Sequence, residues 1–181
     1  MINTHLTIYS RKNRLFSSES YILDAAKRYC RTYGTNPPDS VDKNGRGKPY
    51  FGLNNQLFPS LSHSGDYIVA AISGVAVGVD VQIHKKCDSE AIARRFFYPE
   101  ERLFLLNNPS SFFQVWALKE SCAKLTGEGI PSGFRSFPVA DDDGIKRRAG
   151  DVFLYLPDFV SGYSLAAAAG AETEIVVNYD L

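Results

Sequence analysis

Three charged side chains are spaced so that they could act at one site. Asp80 ends an apolar stretch, and Glu120 and Lys124 stand one turn apart on a helical segment. A carboxylate beside a buried surface is a good ligand for a hard cation, and Gln82 shares the strand face of Asp80. Simpler explanations are a turn-forming or capping Asp80 and a solvated ion pair of about 0.3 kcal/mol between Glu120 and Lys124.

The helical segment Phe112 to Leu125 argues against the solvated pair. Glu120 and Lys124 fall on the same side as the apolar residues Phe113 and Trp116, which predicts a half-buried position. Because removing an ion pair from water is costly, charges kept at such a position indicate a role other than stability. Lys119 lies on a neighbouring face and is predicted to be an ordinary surface lysine.

The segment LSHSGD, Leu61 to Asp66, is a second candidate. It is predicted to be a loop in which small hydroxyls, backbone N–H groups and His63 suit a phosphate. A serine hydrolase triad does not fit, because no nucleophile elbow is present and Ser62 and Ser64 flank His63 too closely to face it.

The segment NGRGKPY, Asn44 to Tyr50, is a third candidate. Its two glycines allow close backbone approach, and Arg46 and Lys48 bring positive charge. The spacing differs from GxxxxGK[ST], which excludes a P-loop. Taken alone, the segment is best explained as a basic turn.

The elements that position these residues follow from periodicity and turn signals. Helices are predicted at Ser17 to Tyr33, Ser89 to Phe97, from Pro99, and across Phe112 to Leu125. Ser73-Gly74 is predicted to join two strands as a hairpin. Because strands and helices do not alternate regularly, the fold class is α+β. The other strands are predicted at Thr4 to Tyr9, Phe58 to Ser62, Tyr67 to Ile72, Val75 to Val81, Ser136 to Val139, Val152 to Leu156 and Tyr163 to Ala169.

Composition limits the class of protein. The 181 residues suit one domain or two small fused halves, and 44% hydrophobic residues argue against disorder. Lys+Arg and Asp+Glu balance at 20 each, so no overall charge favours nucleic acid or a membrane surface. Three cysteines without a CxxC pair indicate reduced thiols, and no signal-peptide core or membrane span is apparent. We therefore expect a cytoplasmic protein.

The order of these segments resembles the signature of the 4′-phosphopantetheinyl transferase superfamily. That signature is (V/I)G(V/I)D, a gap of about forty residues, then (F/W)xxKE(S/A)xxK. It is matched here by Val77 to Asp80 and by Trp116, Lys119, Glu120, Ser121 and Lys124. The upstream GKP and SHS segments resemble further motifs of the larger, pseudo-dimeric branch.

The resemblance implies an enzyme that moves the 4′-phosphopantetheine arm of coenzyme A to a serine of an apo carrier protein. Adenosine 3′,5′-bisphosphate is released. Asp80 and Glu120 are then ligands of Mg²⁺, with Gln82 beside them, and Glu120 or a water it holds takes the serine proton. Lys124 steadies phosphate charge.

The resemblance also implies the coenzyme A contacts and the architecture. Gly47, Lys48 and Pro49 border the adenine and its phosphates, and Ser62 and His63 hold phosphate, most simply the 3′-phosphate. Two similar α+β halves, residues 1–74 and 75–181, enclose the coenzyme in a groove. A monomer serving secondary metabolism is expected, with no nucleic acid or membrane partner.

The sequence departs from this branch in two ways. Gln82 replaces a frequent third acidic residue, which predicts weaker Mg²⁺ affinity. The N-terminal half is short, and Arg11, Lys12 and Arg14 are the candidates there for holding the 3′-phosphate.

Three alternatives remain open. A Mg²⁺-dependent hydrolase of a coenzyme A-like pyrophosphate would use the same residues without a carrier protein. A non-catalytic module would bind coenzyme A or the carrier alone. A purely structural domain predicts that Glu120→Gln leaves every ligand affinity unchanged.

Overall fold

The computed structural model describes residues 5–12, 17–52, 56–127, 134 and 138–180. It contains helices and several sheets, which confirms the α+β class. The helices are α1 (Ser18–Tyr33), α2 (Ser89–Phe96), α3 (Pro99–Asn107) and α4 (Phe112–Thr126). The strands are β1 (His5–Lys12), β2 (Val41–Lys43), β3 (Pro49–Phe51), β4 (Phe58–Ser64), β5 (Tyr67–Ser73), β6 (Val77–Ile83), β7 (Ala140–Asp141), β8 (Gly144–Ile145), β9 (Arg148–Ala149), β10 (Val152–Tyr155), β11 (Tyr163–Ala169) and β12 (Glu174–Asp180).

The first sheet has the strand order β12-β1-β5-β4, with β12 parallel to β1 and the other pairs antiparallel. Helix α1 begins after Ser17, whose hydroxyl accepts a hydrogen bond from the Ser20 N–H, and ends at Gly34. Both ends agree with the sequence prediction. The apolar side of α1 is buried against this sheet, with Tyr21, Ile22, Ala25, Ala26 and Tyr29 in the core.

The second sheet has the strand order β6-β11-β10-β9 and is antiparallel throughout. Helix α4 packs on β6 and β11, and its contact with β6 is very close at Gly78. A Cβ atom on Gly78 would lie 1.9 Å from the Ser121 carbonyl oxygen. The glycine of the GVD segment therefore lets the helix approach the strand that carries Asp80.

The predicted hairpin between β5 and β6 is wrong. Strand β5 pairs with β1 and β4, whereas β6 pairs with β11 in the other sheet. At the boundary, the Val79 and Ile83 N–H groups of β6 donate to the hydroxyls of Ser60 and Ser64 on β4, at 3.0 Å each. Side-chain hydroxyls therefore supply the partners that a neighbouring strand would offer.

The remaining strand predictions agree with the structure only in part. The segment LSHSGD is not all loop, since β4 runs to Ser64. The turn-rich segment Asn36 to Asn55 is predicted from its sequence to be loop with one short strand, but its described part holds two, β2 and β3. Strands β7 to β9 and β12 are additional to the prediction. Half of the predicted strand Ser136 to Val139 lies outside the described residues, and Pro138 and Val139 are not in a strand. The division into residues 1–74 and 75–181 stays a prediction, and β12 joins the sheet of the first part.

Candidate active site

Helix α4 presents a half-buried stripe within an otherwise buried surface. Phe113, Trp116, Glu120 and Lys124 are each partly exposed, whereas most residues around them are buried. This is the half-buried position that the sequence predicts for the charged pair. The stripe faces β6 and β4 near its C-terminal end, because Lys124 there contacts side chains of both strands.

Asp80 meets Lys124 at this end of the stripe. The Lys124 ammonium donates to Asp80 Oδ1 at 2.7 Å and to the Ser62 hydroxyl at 2.7 Å, and Ser62 donates to the same Oδ1 at 2.7 Å. The carboxylate is 5% exposed. Its second oxygen, Oδ2, is buried without a hydrogen-bond partner among the residues that the structure describes. Lys124 therefore pairs with Asp80, which differs from the simple helical pair with Glu120.

Glu120 and Asp80 are electrostatically coupled carboxyls. Burial and the nearby Asp80 carboxylate together raise the pKa of Glu120 to about 7, while Lys124 opposes the shift. Burial also raises the pKa of Asp80, against the Lys124 ammonium and the Ser62 hydroxyl. Two neighbouring buried carboxyls, one with an oxygen that lacks a hydrogen-bond partner among the described residues, favour the binding of a cation.

The two carboxylates suit Mg²⁺ when waters or phosphate oxygens supply its remaining ligands. Within the described ranges, no group of three or more His, Cys, Asp or Glu side chains could hold a metal ion. Asp80 and Glu120 supply two carboxylates, and Mg²⁺ usually keeps several waters or takes phosphate oxygens besides one or two carboxylates. The Gln82 amide on the same strand donates to the Ile83 carbonyl oxygen at 3.1 Å.

The turn between β2 and β3 closes one side of a cavity of about 210 Å³ beside α4. Asn44 anchors this turn, and the left-handed Gly47 (φ 81°) completes it. Ligand pockets are usually roughly 300–1,000 Å³, so the cavity has room for part of a ligand of ordinary size. It is lined by Arg46, Gly47, Lys48, Pro49, Ser60, Leu61, Glu120, Ala123, Lys124 and Gly127.

Two cations of that turn also contact the end of α4. Lys48 Nζ donates to the Leu125 carbonyl oxygen at 2.5 Å, and Arg46 donates to that of Gly127 at 3.3 Å. These contacts satisfy carbonyls at the negative end of the helix. Burial lowers the pKa of Lys48. The sequence indicated a basic turn at a phosphate site, but not this attachment to α4.

Ser62 and His63 point to opposite faces of β4. Ser62 is buried toward Asp80, whereas His63 is exposed. His63 is in register with Ile68, which is in register with Arg11, so His63 and Arg11 share one face of the first sheet. Lys12 belongs to the other face by alternation, and Arg14 lies outside the described residues. The phosphate role of His63 stays a prediction.

A family model and several curated proteins match this chain. The model described as the 4′-phosphopantetheinyl transferase superfamily matches residues 76–168. The chain belongs to that superfamily. The match includes Asp80, Glu120 and Lys124, whereas the turn and strand that carry Lys48, Ser62 and His63 precede it.

Relatives within the superfamily extend the likeness upstream. A 4′-phosphopantetheinyl transferase of Bacillus pumilus, psf-1, is 38% identical over 134 residues, which is 68% of this chain and 55% of the relative. The transferase gsp of Aneurinibacillus migulanus is 29% identical over 137 residues, 70% of this chain and 56% of the relative. Sfp of Bacillus subtilis is 32% identical over 104 residues, which is 55% of this chain and 44% of the relative. The chain spans about half the length of the curated relatives it matches.

The superfamily signature also contains a lysine with a structural contact. Lys119 is 1% exposed and donates to both oxygens of Glu101, which is itself fully buried. The prediction of a surface lysine is wrong, because Glu101 and the rings of Phe97, Tyr98 and Phe134 enclose the Lys119 ammonium. Glu101 was missed, and its local signal is only that of a residue near a helix start, where it accepts the Tyr98 N–H.

A larger cavity of about 570 Å³ lies between α2 and α3, away from the superfamily's signature carboxylates. Its walls are mainly apolar, and Arg94 and Arg102 stand at them. Among the described residues of its lining, Glu90 is the only carboxylate, and it pairs with Arg94 at 2.6 Å. The cavity therefore lacks the paired carboxylates on which the proposed chemistry depends.

In this superfamily member, Glu120→Gln should reduce the pH dependence of unfolding between about pH 4.5 and 7. The folded state binds the Glu120 proton more tightly than the unfolded chain, because the pKa is raised from 4.5 to about 7. This group therefore favours folding at low pH, and the contribution is lost as pH rises through 7. The full shift corresponds to about 3 kcal/mol, which partial exposure reduces to roughly 1–2 kcal/mol.

Urea unfolding at about pH 5 and about pH 8, without metal, measures this difference. Glu90→Gln is the control, because Glu90 is exposed and its partner is a surface arginine. Equal changes in the free energy of unfolding for wild type and Glu120→Gln would contradict the raised pKa of Glu120.

Proposed function

We propose that this protein transfers the 4′-phosphopantetheine arm of coenzyme A to a serine hydroxyl of an apo carrier protein. The serine oxygen bonds to the phosphorus that carries pantetheine, and the pyrophosphate bond breaks. Adenosine 3′,5′-bisphosphate leaves with the bridging oxygen. The observation that carries the proposal is the meeting of Asp80, Glu120 and Lys124, from two signature segments, beside a cavity bordered by Gly47, Lys48 and Pro49.

The chain's own residues supply the proton and charge handling. Glu120, with a pKa of about 7, is ionised in a large fraction of molecules at neutral pH and can accept the serine proton, directly or through water. The Lys124 ammonium donates to Asp80 and Ser62, so it lies in the same site as the two carboxylates. There it would stabilise the negative charge of the attacked phosphate and the leaving group.

Asp80 and Glu120 would hold Mg²⁺, with Gln82 as a neighbouring amide. The bound ion would neutralise pyrophosphate charge. Asp80 Oδ2, which is buried and lacks a hydrogen-bond partner among the described residues, supports this assignment. The single carboxylate from β6 supports the expectation of weaker metal affinity than in relatives with a third acidic residue.

A monomeric, cytoplasmic enzyme of secondary metabolism is the context that we propose. Lys48 from the first part of the chain and Glu120 from the second line the same cavity, so one chain supplies both walls. The three cysteines are free thiols, which suits a reducing compartment. None of the described helices is long and apolar enough to cross a membrane. The balanced net charge gives no support for a nucleic acid partner.

Intact mass of an apo carrier protein, incubated with this protein, coenzyme A and Mg²⁺, tests the function. We expect a gain of about 340 Da, the mass of one phosphopantetheine, which is lost with EDTA. Release of adenosine 3′,5′-bisphosphate without a carrier adduct would instead support a hydrolase. Binding of coenzyme A without either product would support a non-catalytic module.

Glu120→Gln should lower the rate of this transfer by about 100-fold or more, because the variant loses a base and a metal ligand. Asp80→Asn should have an effect of similar size with an intact fold, which circular dichroism checks. Glu90→Gln on the exposed side of α2 is the matched control and should transfer normally. Transfer by Glu120→Gln at the wild-type rate would contradict the proposed role of the carboxylate.

A further inference from the structure

Three serines at alternating positions of β4 face β6. Ser60 and Ser64 accept the Val79 and Ile83 N–H groups, while Ser62 between them bonds to the Asp80 carboxylate. The contacts advance in the same direction along both strands. Because side chains alternate in a strand, this face is distinct from the face that carries His63.

Ser62 differs from the other two serines in what it contacts. Ser60 and Ser64 have backbone partners on β6, whereas the Ser62 hydroxyl donates to Asp80 Oδ1 and accepts from Lys124 Nζ, each at 2.7 Å. A hydroxyl has one donor hydrogen, and here it is directed to the carboxylate. Ser62 is 6% exposed, so water has little access to replace it.

This arrangement restrains two charged groups at once. Lys124 Nζ, Ser62 Oγ and Asp80 Oδ1 form a closed set of three contacts of 2.7 Å. Such a set fixes which Asp80 oxygen is occupied and leaves Oδ2 for another ligand. Charge-assisted hydrogen bonds of this kind hold side chains in one orientation more strongly than neutral ones.

We propose that Ser62 is a positioning residue, which orients Asp80 and Lys124 rather than contacting the 3′-phosphate of coenzyme A. This inference rests on the proposed function. His63 points to the other face of β4, which it shares with Arg11, so of these two residues His63 is the one whose side chain would meet a phosphate on that face. Ser62 and His63, although adjacent in β4, therefore have different roles in this assignment.

Coenzyme A and dephospho-coenzyme A, which lacks the 3′-phosphate, separate the two roles of Ser62. We would measure both dissociation constants by calorimetry, with and without Mg²⁺, for wild type and Ser62→Ala. A positioning residue leaves the ratio of the two constants without metal within about twofold of wild type. It also removes most of the tightening of coenzyme A binding that Mg²⁺ causes, because metal coordination depends on the orientation of Asp80.

The same variant should lower kcat for transfer by about 10-fold or more, with KM for coenzyme A changed by less than about threefold. Ser64→Ala is the matched control, since it removes a neighbouring hydroxyl whose hydrogen-bond partner in the described part of the chain is a backbone N–H, that of Ile83. Its kcat and Mg²⁺ effect should match wild type. Melting temperatures of both variants show whether a loss is only structural.

Two results would overturn the assignment. Weaker binding of coenzyme A by Ser62→Ala without metal, with dephospho-coenzyme A unaffected, would make Ser62 a phosphate ligand. Equal losses of kcat and of the Mg²⁺ effect in Ser62→Ala and Ser64→Ala would reduce Ser62 to a structural member of the series. If wild type binds coenzyme A but transfers nothing, the proposed function fails, while the binding constants still decide the role of Ser62.

Discussion

Glu101→Gln should lower the free energy of unfolding by about 3–5 kcal/mol, because it removes the buried carboxylate that accepts two hydrogen bonds from the Lys119 ammonium. Glu101 is fully buried and Lys119 is 1% exposed, with Nζ 2.9 and 3.0 Å from the two carboxylate oxygens. The Tyr98 and Val139 N–H groups donate to the same carboxylate at 2.8 Å each. The pair therefore joins α3, α4 and the chain before β7.

A double-mutant cycle with Lys119→Met distinguishes this pair from a surface contact. Each single variant removes one charge of the buried pair and keeps the other, whereas the double variant removes both, so the double loss should be smaller than the sum of the single losses. Glu90→Gln, which breaks an exposed pair, should change the free energy of unfolding by less than about 1 kcal/mol. A loss of that size for Glu101→Gln, measured by urea unfolding, would contradict the buried pair.

The pair also explains two consecutive residues of the signature. Neighbouring residues on a helix point about 100° apart. Lys119 faces α3, and the rings of Phe97, Tyr98 and Phe134 surround its ammonium at 5.8, 5.0 and 5.9 Å from their centroids. Glu120 then faces the cleft. The Lys119–Glu101 pair therefore fixes the rotation of α4 about its axis, and this rotation directs Glu120 toward the cleft.

Gly78→Ala should destabilise the fold by about 3 kcal/mol or more, at the upper end of overpacking effects. A Cβ atom at this position would lie 1.9 Å from the Ser121 carbonyl oxygen and 2.5 Å from the Leu125 nitrogen. Both are backbone atoms of α4, so no side-chain rotation relieves the overlap and the helix must move away from β6. Separation of β6 from α4 would also separate Asp80 from Lys124.

Gly74→Ala is the matched control, because a Cβ atom there has no heavy atom within 4 Å among the described residues. Urea unfolding compares the two variants, and the transfer assay with saturating coenzyme A compares their sites. A midpoint for Gly78→Ala equal to that of Gly74→Ala would show that α4 does not need this close contact.

The sequence predicts best where neighbouring residues carry the information. Ser17 and Gly34 mark the ends of α1 because capping is local, and the signature positions of Asp80, Glu120 and Lys124 indicate a shared site. The partner of Lys119 was missed because Glu101 lies on another helix, and tertiary packing brings the two together.

Strand pairing was the harder problem. A pattern of two apolar segments around Ser73-Gly74 is the same whether the strands pair or cross into different sheets, so the hairpin could not be excluded. The prediction that Ser62 and His63 act together treated LSHSGD as a loop. In an extended strand, however, neighbouring side chains point to opposite faces.

Strand β12 has a consequence for the order of folding. It lies parallel to β1, so the first sheet joins residues from near the two ends of the sequence. During synthesis, β5 and β4 can pair with β1 early, but the other edge of β1 stays unpaired until Glu174–Asp180 leaves the ribosome. Closing such a distant contact is slow compared with local pairing. The sheet that contains β1, β4 and β5 is therefore completed only after β12 has been made.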